Sequence, residues 1–367
     1  MTINSLSLSN FRNITEQFIV CSPYFNLFYG DNAAGKTSVL EAIYYLATAK
    51  SFRTHHHDRV ISSDCDSLTL FARCQLENSL IPIGIQRFRD GSAQIKMNGV
   101  PAHSISEVSQ RFPVQFISSD SHRILSDGPK SRRQFLDWGL FHTNPLFLTQ
   151  WKAFQKLLIQ RNAALKARAL RDELQIWNHE FALIGETLNK MRQNYVNDFI
   201  PVFNQIIQVL LSDIIISIQY LPGWDQNSSL ETCLNQNVSR ETLVGHGLFG
   251  PHRADLGLFV NDLPAEDVLS QGQQKLVSYV LRLAQGLHLQ SVTNKKPIYL
   301  IDDLPSELDR QKRSLVVQIL AKLGSQVFIT GIESTDLQEI CHLNLDNRMF
   351  HVKHGTILPH VTEECFT

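Results

Sequence analysis

Gly30-Asp31-Asn32-Ala33-Ala34-Gly35-Lys36-Thr37 fits the pattern G-x-x-x-x-G-K-[ST], and its flanks decide how it is read. Before it runs the short apolar stretch Phe25 to Tyr29, a strand signal. After it, from Thr37 to Ala49, Val39, Leu40, Ile43, Leu46 and Ala47 recur at helical spacing. A strand, a glycine loop and a helix start make a phosphate cradle, because successive N–H groups point inward at the helix N-terminus. Lys36 then neutralises the outer phosphates and the Thr37 hydroxyl is placed to ligate a divalent cation, with Ser38 just behind. The loop specifies a nucleoside triphosphate without saying what is done with it.

Two further segments bear on the same chemistry. Ile298-Tyr299-Leu300-Ile301-Asp302-Asp303 is an apolar strand ending in two carboxylates. Asp302 is placed to hold Mg²⁺, directly or through water, and Asp303 to polarise an attacking water as general base. An acidic turn capping the next helix is the plainer alternative. Ser270-Gln271-Gly272-Gln273 precedes a strongly amphipathic helix carrying Leu276, Val277, Val280, Leu281, Ala284 and Leu287. Ser270 stands where an N-cap belongs, and Gly272 leaves the first turn open to close approach. Simple capping of a core helix and a second anion-binding helix start both fit.

Around these segments the chain changes character twice. Up to about residue 115 it is β-rich: Ile3 to Leu8 alternates, Leu68 to Leu76 and Ile81 to Phe88 read as strands, and Asp90-Gly91 signals a hairpin turn. From Ser131 to Tyr195 the pattern is helical, with Trp151, Phe154, Leu157, Leu158 and Leu165 three or four apart. Pro201 and Pro222-Gly223 are expected to break up its far end. Alternating strands and helices then return, including Pro297 to Ile301, Ser314 to Leu323 and Gln326 to Thr330. The expectation is an α/β domain of residues 1–125 plus 246–367, split by a mostly helical arm of 126–245.

Of the 367 residues, 43% are hydrophobic and 19% charged, an ordinary globular balance. The net charge of -1 lends no bulk support to nucleic-acid binding, so any such surface must be local. Candidates are Arg123, Lys130, Arg132 and Arg133 at the arm's start. A second group, Arg161, Lys166, Arg168 and Arg171, reads as a solvated face. Cys21, Cys65, Cys74, Cys233, Cys341 and Cys365 are scattered without metal-site spacing. His55-His56-His57 lacks partner ligands and reads as a polar surface loop. The opening MTINSLSLSNFRN has no basic-then-apolar pattern and no apolar run reaches membrane length, so a cytoplasmic setting without membrane contact is expected.

The three phosphate-site segments, in this order and separated by a helical insertion, resemble the ABC-type ATPase heads of the SMC and Rad50 group. More narrowly they resemble the RecF family of bacterial DNA-repair ATPases. The phrases that carry this are Asn10-Phe11-Arg12-Asn13, Lys50-Ser51-Phe52-Arg53-Thr54, Arg132 to Trp138, Gln160-Arg161-Asn162-Ala163, Gly250 to Asp255, and Asp302-Asp303 through Ser306-Glu307-Leu308-Asp309. Ala33 departs from the family's glycine, and Ala tolerates positive φ poorly. The arm also lacks the sustained heptads of a long coiled coil.

The resemblance implies a mixed-sheet ABC-type head and a head-to-tail, ATP-dependent homodimer with Mg-ATP between subunits. Lys36 and Thr37 of one copy would face Ser270, Gly272 and Gln273 of the other, and Lys36, Ser270 and Asp303 would be the catalytic set. Ser306 to Asp309 would cross the interface, while Arg12 and Arg53 would lie near nucleotide or DNA. Gln115 is either a Q-loop residue sensing Mg²⁺ or an ordinary strand-end polar group. The same family implies weak, DNA-stimulated ATP hydrolysis, binding to DNA at junctions beside single-strand gaps, work with the RecO and RecR proteins, help in loading RecA, and SOS induction. Two other readings compete. A transporter's nucleotide-binding subunit would carry Glu after Asp302 and a switch His where Thr330 stands, and a non-hydrolysing clamp is suggested by the short Asp303 side chain.

Overall fold

The structure is a computed structural model describing residues 1–76 and 79–360, so Cys365 lies outside the described residues. The chain divides into two compact units, Met1–Ser121 with Leu289–Thr367, and His122–His288.

The first unit holds two six-stranded sheets. One is antiparallel throughout, ordered Ile14–Val20, Thr2–Phe11, Ser67–Leu76, Ser79–Phe88, Ala93–Met97, Val100–Pro101. Its strands read as the alternation predicts: Leu68, Leu70, Ala72 and Cys74 are fully buried while Thr69 and Arg73 face out. Asp90-Gly91 does form the turn between Ser79–Phe88 and Ala93–Met97, with Gly91 at φ 86.

The other sheet is ordered Thr356–Pro359, Asn347–Lys353, Phe25–Tyr29, Val327–Gly331, Ile298–Ile301, Val114–Ile117. All neighbours are parallel except the first pair. Val327–Gly331 and Ile298–Ile301 are buried along their whole length, which is why neither shows the alternation of a half-exposed strand. The helix Lys36–Thr48 contributes Val39, Leu40, Ile43 and Leu46 to one core cluster shared with both sheets. Each such fully buried side chain contributes about 1.5–3 kcal/mol.

The second unit is built on the helices Pro129–Thr143, Phe147–Lys166 and Arg171–Leu210, with most of Gln271–Thr293. A small antiparallel sheet accompanies them, ordered Leu263–Pro264, Asp255–Val260, Ser217–Leu221. Two expectations need correction here. Pro201 does not break its helix, which runs through it for 40 residues. Proline costs a helix interior about 3 kcal/mol, but Phe199, Phe203, Ile206, Ile207 and Leu210 around it are all buried and together outweigh that. The arm also extends past residue 245. Strand pairing of Ser217–Leu221 with Asp255–Val260, and the bidentate Arg132–Asp255 contact, tie the following segment into the same unit.

Candidate nucleotide site

Parallel register brings the site together. Tyr29 pairs with Gly331, Ile301 with Ile329, and Ile301 also with Ile117, so the chain leaves all four strands at one sheet end. There the phosphate loop follows Phe25–Tyr29, Asp302 and Asp303 follow Ile298–Ile301, and Thr330 is the last residue but one of Val327–Gly331. Open clefts beyond carboxyl strand ends are where α/β sheets bind ligands. The cleft has a volume of about 1010 Å³, and its lining comes entirely from the first unit.

The loop's backbone explains its glycines. A Cβ at Gly30 would come 2.2 Å from the Val352 carbonyl oxygen, and Gly35, at φ 118, would press Asn13 Nδ2 at 2.9 Å. Ala33 does adopt the left-handed conformation, at φ 62, so this chain accepts there the strain that glycine would avoid. Lys36 is buried and folds back onto its own loop, donating to the Gly30 oxygen at 2.7 Å and the Asp31 oxygen at 2.9 Å. Burial lowers its pKa, against the pull of Asp303, Asp302 and Asp31. A ligand with negative charge relieves that balance.

Thr37 and Thr330 organise the acids. Thr37 Oγ1 donates to Asp302 across both carboxylate oxygens, at 3.0 and 3.1 Å. Thr330 Oγ1 donates to Asp302 Oδ1 at 2.7 Å and accepts from the Asp303 N–H at 2.7 Å. Burial raises the Asp302 pKa, and the hydrogen bonds from Thr330 and Thr37 pull it back down. Asp303 sits at φ 53 with its Oδ1 buried and without a hydrogen-bond partner. The hydroxyl and carboxylate oxygens of Thr37 and Asp302 form a hard donor set, which suits Mg²⁺.

Other candidates divide. Arg12 lines the cleft and grips Glu41 through two nitrogens, at 2.9 and 2.6 Å, from a strained φ of 57. Asn13 donates to the Ala34 oxygen and accepts from Ser38, so Ser38 holds the loop's flank. Gln115 is buried in register with Tyr299, three residues before Asp302 and thus about 10 Å along the strand. The structure therefore does not bring it to Asp302; Ser119, four residues on, reaches the cleft instead. Ser270, Gly272 and Gln273 belong to the second unit. There Ser270 Oγ accepts from the Gln273 N–H at 3.3 Å and Gln273 Oε1 from the Ser270 N–H at 2.9 Å, a reciprocal capping box. Nothing lies within 4 Å of a Cβ added at Gly272, so that helix start is open.

Arg132 and Arg133, candidates for a nucleic-acid surface, and Arg161, read as part of a solvated face, all turn inward instead. Arg132 forks onto Asp255, Arg133 donates to the Ala254 oxygen, and Arg161 is wholly buried against Glu241 and Asn178. They neutralise internal acceptors. His57 contacts the Tyr45 hydroxyl at 3.4 Å, while His55 and His56 are exposed. Glu41, Ser119, Arg59, Arg89 and Thr330 are cleft or near-cleft groups that the motif reading misses. A lone acid on the otherwise apolar helix after the loop is a signal for Glu41; Thr330 is marked only as standing where a transporter's switch His would, not for its hydrogen bonds to the acid pair.

Comparison with known proteins identifies the family. Residues 2–357 match the family described as the RecF/RecN/SMC N terminal domain. A DNA replication and repair protein RecF of Coxiella burnetii (strain RSA 493 / Nine Mile phase I) is 44% identical over 355 residues, covering 97% of this chain and 98% of the relative. Its counterpart in Shewanella piezotolerans (strain WP3 / JCM 13877) is 41% identical over 357 residues, covering 97% and 99%. A solved structure of the recombination mediator protein RecF with ATP, from the RecFOR pathway, superposes with a TM-score of 0.86 at 25% identity over 98% of each chain. An SMC head bound to the C-terminal winged-helix domain of ScpA shares the fold, with a TM-score of 0.61 at 14% identity, covering 99% of this chain and 98% of that one. Among the described residues, no helix is long and apolar enough to cross a membrane.

Proposed function

This chain belongs to the RecF family of DNA replication and repair proteins, and on that premise we propose that it is an ATPase acting as an ATP-gated DNA clamp. The observation that carries the proposal is the linked set of Thr37, Asp302, Thr330 and Asp303 beside the phosphate loop, assembled at one sheet end from opposite ends of the chain. Lys36 surrenders its carbonyl contacts to the outer phosphates, and the loop's N–H groups fix them in place. Thr37 and Asp302 would hold Mg²⁺, which when bound neutralises charge on the phosphate oxygens. The unpartnered Asp303 Oδ1 is the acceptor available for a proton from the attacking water. Aspartate is a methylene shorter than glutamate, so turnover is slow and gating outweighs catalysis.

By the same reading, bound ATP completes a composite pocket with Ser270, Gly272 and Gln273 of a second copy. The clamp so formed binds DNA at junctions beside single-strand gaps, where it works with RecO and RecR in loading RecA and thereby in SOS induction. Salt-sensitive phosphate contacts would supply most of its affinity for DNA.

The test is light scattering of Lys36→Ala and Ser270→Arg variants with and without Mg-ATP. Lys36→Ala is expected to lose ATP binding. Ser270→Arg is expected to bind ATP and stay monomeric. A Ser270→Arg variant that still dimerises on ATP removes the shared pocket. Gapped and uniform duplex, titrated with ATP, ADP and a salt series, then tests the clamp: binding indifferent to nucleotide or to salt rejects it.

A further inference from the structure

A single buried carboxylate ties together groups that reach the cleft. Glu41 lies one helical turn after Thr37 and is wholly buried. Its Oε1 accepts from Arg12 Nη2 at 2.6 Å and from Ser51 Oγ at 2.5 Å. Its Oε2 accepts from Arg12 Nε at 2.9 Å and stands 3.7 Å from Arg53 Nη1. Ser51 Oγ in turn accepts from the N–H groups of Arg53, at 2.9 Å, and Thr54, at 3.0 Å. One carboxylate thus fixes both the Arg12 side chain and the turn that carries Arg53, and both arginines line the cleft.

Burying a carboxylate costs several kcal/mol, and an apolar side chain would fill a core helix position without that cost. The charge at residue 41 is therefore better explained by what it holds than by packing. It holds the two arginines unequally. Arg12 has 19% of its side chain exposed and is locked in a two-nitrogen fork that also gives Nη1 to the Arg59 oxygen at 2.6 Å. Arg53 is half exposed and has one long contact.

We propose that Glu41 is a positioning residue for the nucleotide: it presents Arg12 to the bound triphosphate in a fixed orientation and keeps Arg53 beside it without committing it. This rests on the ATP reading above and adds the group that sets the arginine geometry. Glu41 itself touches no ligand. Displacing a binding group by about 1 Å costs on the order of a hundredfold in the worst cases, so a fork that is loosened but not lost should weaken ATP binding by about tenfold.

The experiment is a double-mutant cycle on affinity for a fluorescent ATP analogue, using Glu41→Gln, Arg12→Ala and the two combined, with circular dichroism and urea unfolding alongside. Glu41→Gln is expected to weaken binding by about tenfold in wild-type background and by less than about twofold on Arg12→Ala. Equal losses on both backgrounds, or unchanged affinity in folded Glu41→Gln protein, overturn the proposal. If Glu41→Gln fails to fold, Glu41→Asp carries the same cycle, since it keeps the charge and retracts it by one methylene. A wild-type chain that binds no ATP rejects the nucleotide reading itself; a wild-type chain that binds ATP with an additive cycle rejects only the role of Glu41.

Discussion

Replacing Thr330 with Val removes one hydroxyl from a fully buried position while nearly keeping its shape. That hydroxyl makes two 2.7 Å bonds, one accepted from the Asp303 N–H and one donated to Asp302 Oδ1. Stranding the Asp303 amide costs about 1–3 kcal/mol, and losing a bond to a charged group about 1.5–3 kcal/mol. The two losses share one side chain and local relaxation, so the combined effect is about 2–4 kcal/mol. Thr330→Ser, which keeps the hydroxyl, should cost about 1 kcal/mol or less for its missing buried methyl. Hydrogen exchange at the Asp303 amide reads the effect where it arises, and its protection in Thr330→Val should fall by on the order of a hundredfold. The loss also has a pH signature. Burial holds the Asp302 pKa above its ordinary 3.8, with Thr330 pulling it down. In the window between those values the folded chain keeps a proton that the unfolded chain has released, so stability falls as pH rises through it and is level above. Without Thr330 the folded pKa climbs further and the window extends upward. The variant's deficit is therefore larger at mildly alkaline pH, where the carboxylate is charged, than at acidic pH, where it is neutral. A deficit equal at both, or no change in Asp303 exchange, refutes the role assigned to this hydroxyl.

The remaining predictions concern other strained or buried groups. Ala33→Gly relieves a left-handed alanine at φ 62, so it should leave the urea midpoint unchanged or raise stability by up to about 1 kcal/mol; a clear loss would mean the Ala33 methyl is needed. Glu241→Ala strands the wholly buried Arg161 and should cost about 3–5 kcal/mol in urea unfolding followed in the second unit, whereas a loss below about 1 kcal/mol would show the pair to be solvated. Burial depresses the His252 pKa from 6.5 to about 4, with the Arg253, Arg161 and Arg133 charges acting in the same sense. The unfolded chain then binds a proton that the folded chain refuses, so stability drops by about 3 kcal/mol as pH falls through that interval. His252→Gln should flatten the drop, and an equally steep profile in the variant would assign it to other groups.

What could be read in advance depended on how far apart the cooperating residues lie in the chain. The phosphate loop, the acid pair after Ile301 and the capping serine at 270 each sit within a few residues of their own strand or helix signal, and local pattern suffices for them. Thr330 becomes meaningful only through the order of the parallel strands, which places Val327–Gly331 between Phe25–Tyr29 and Ile298–Ile301. No periodicity encodes that order. Gln115 shows the converse limit: of its two readings, register disfavours the Mg²⁺ sensor, because it pairs Gln115 with Tyr299, three residues short of Asp302. The arginines show the same limit in charge. A sequence lists Arg132, Arg161 and Arg192 as cations, yet each is spent on a partner at least 55 positions away: Asp255, Glu241 and Asp137. Counting charges along the chain therefore overstates the basic surface of the second unit. A surface able to meet DNA there must draw on exposed residues such as Lys130, Lys166 and Arg171, which no buried acid holds in place. If phosphate contacts come from such exposed side chains, they will be salt-sensitive and indifferent to sequence, as the proposed clamp requires.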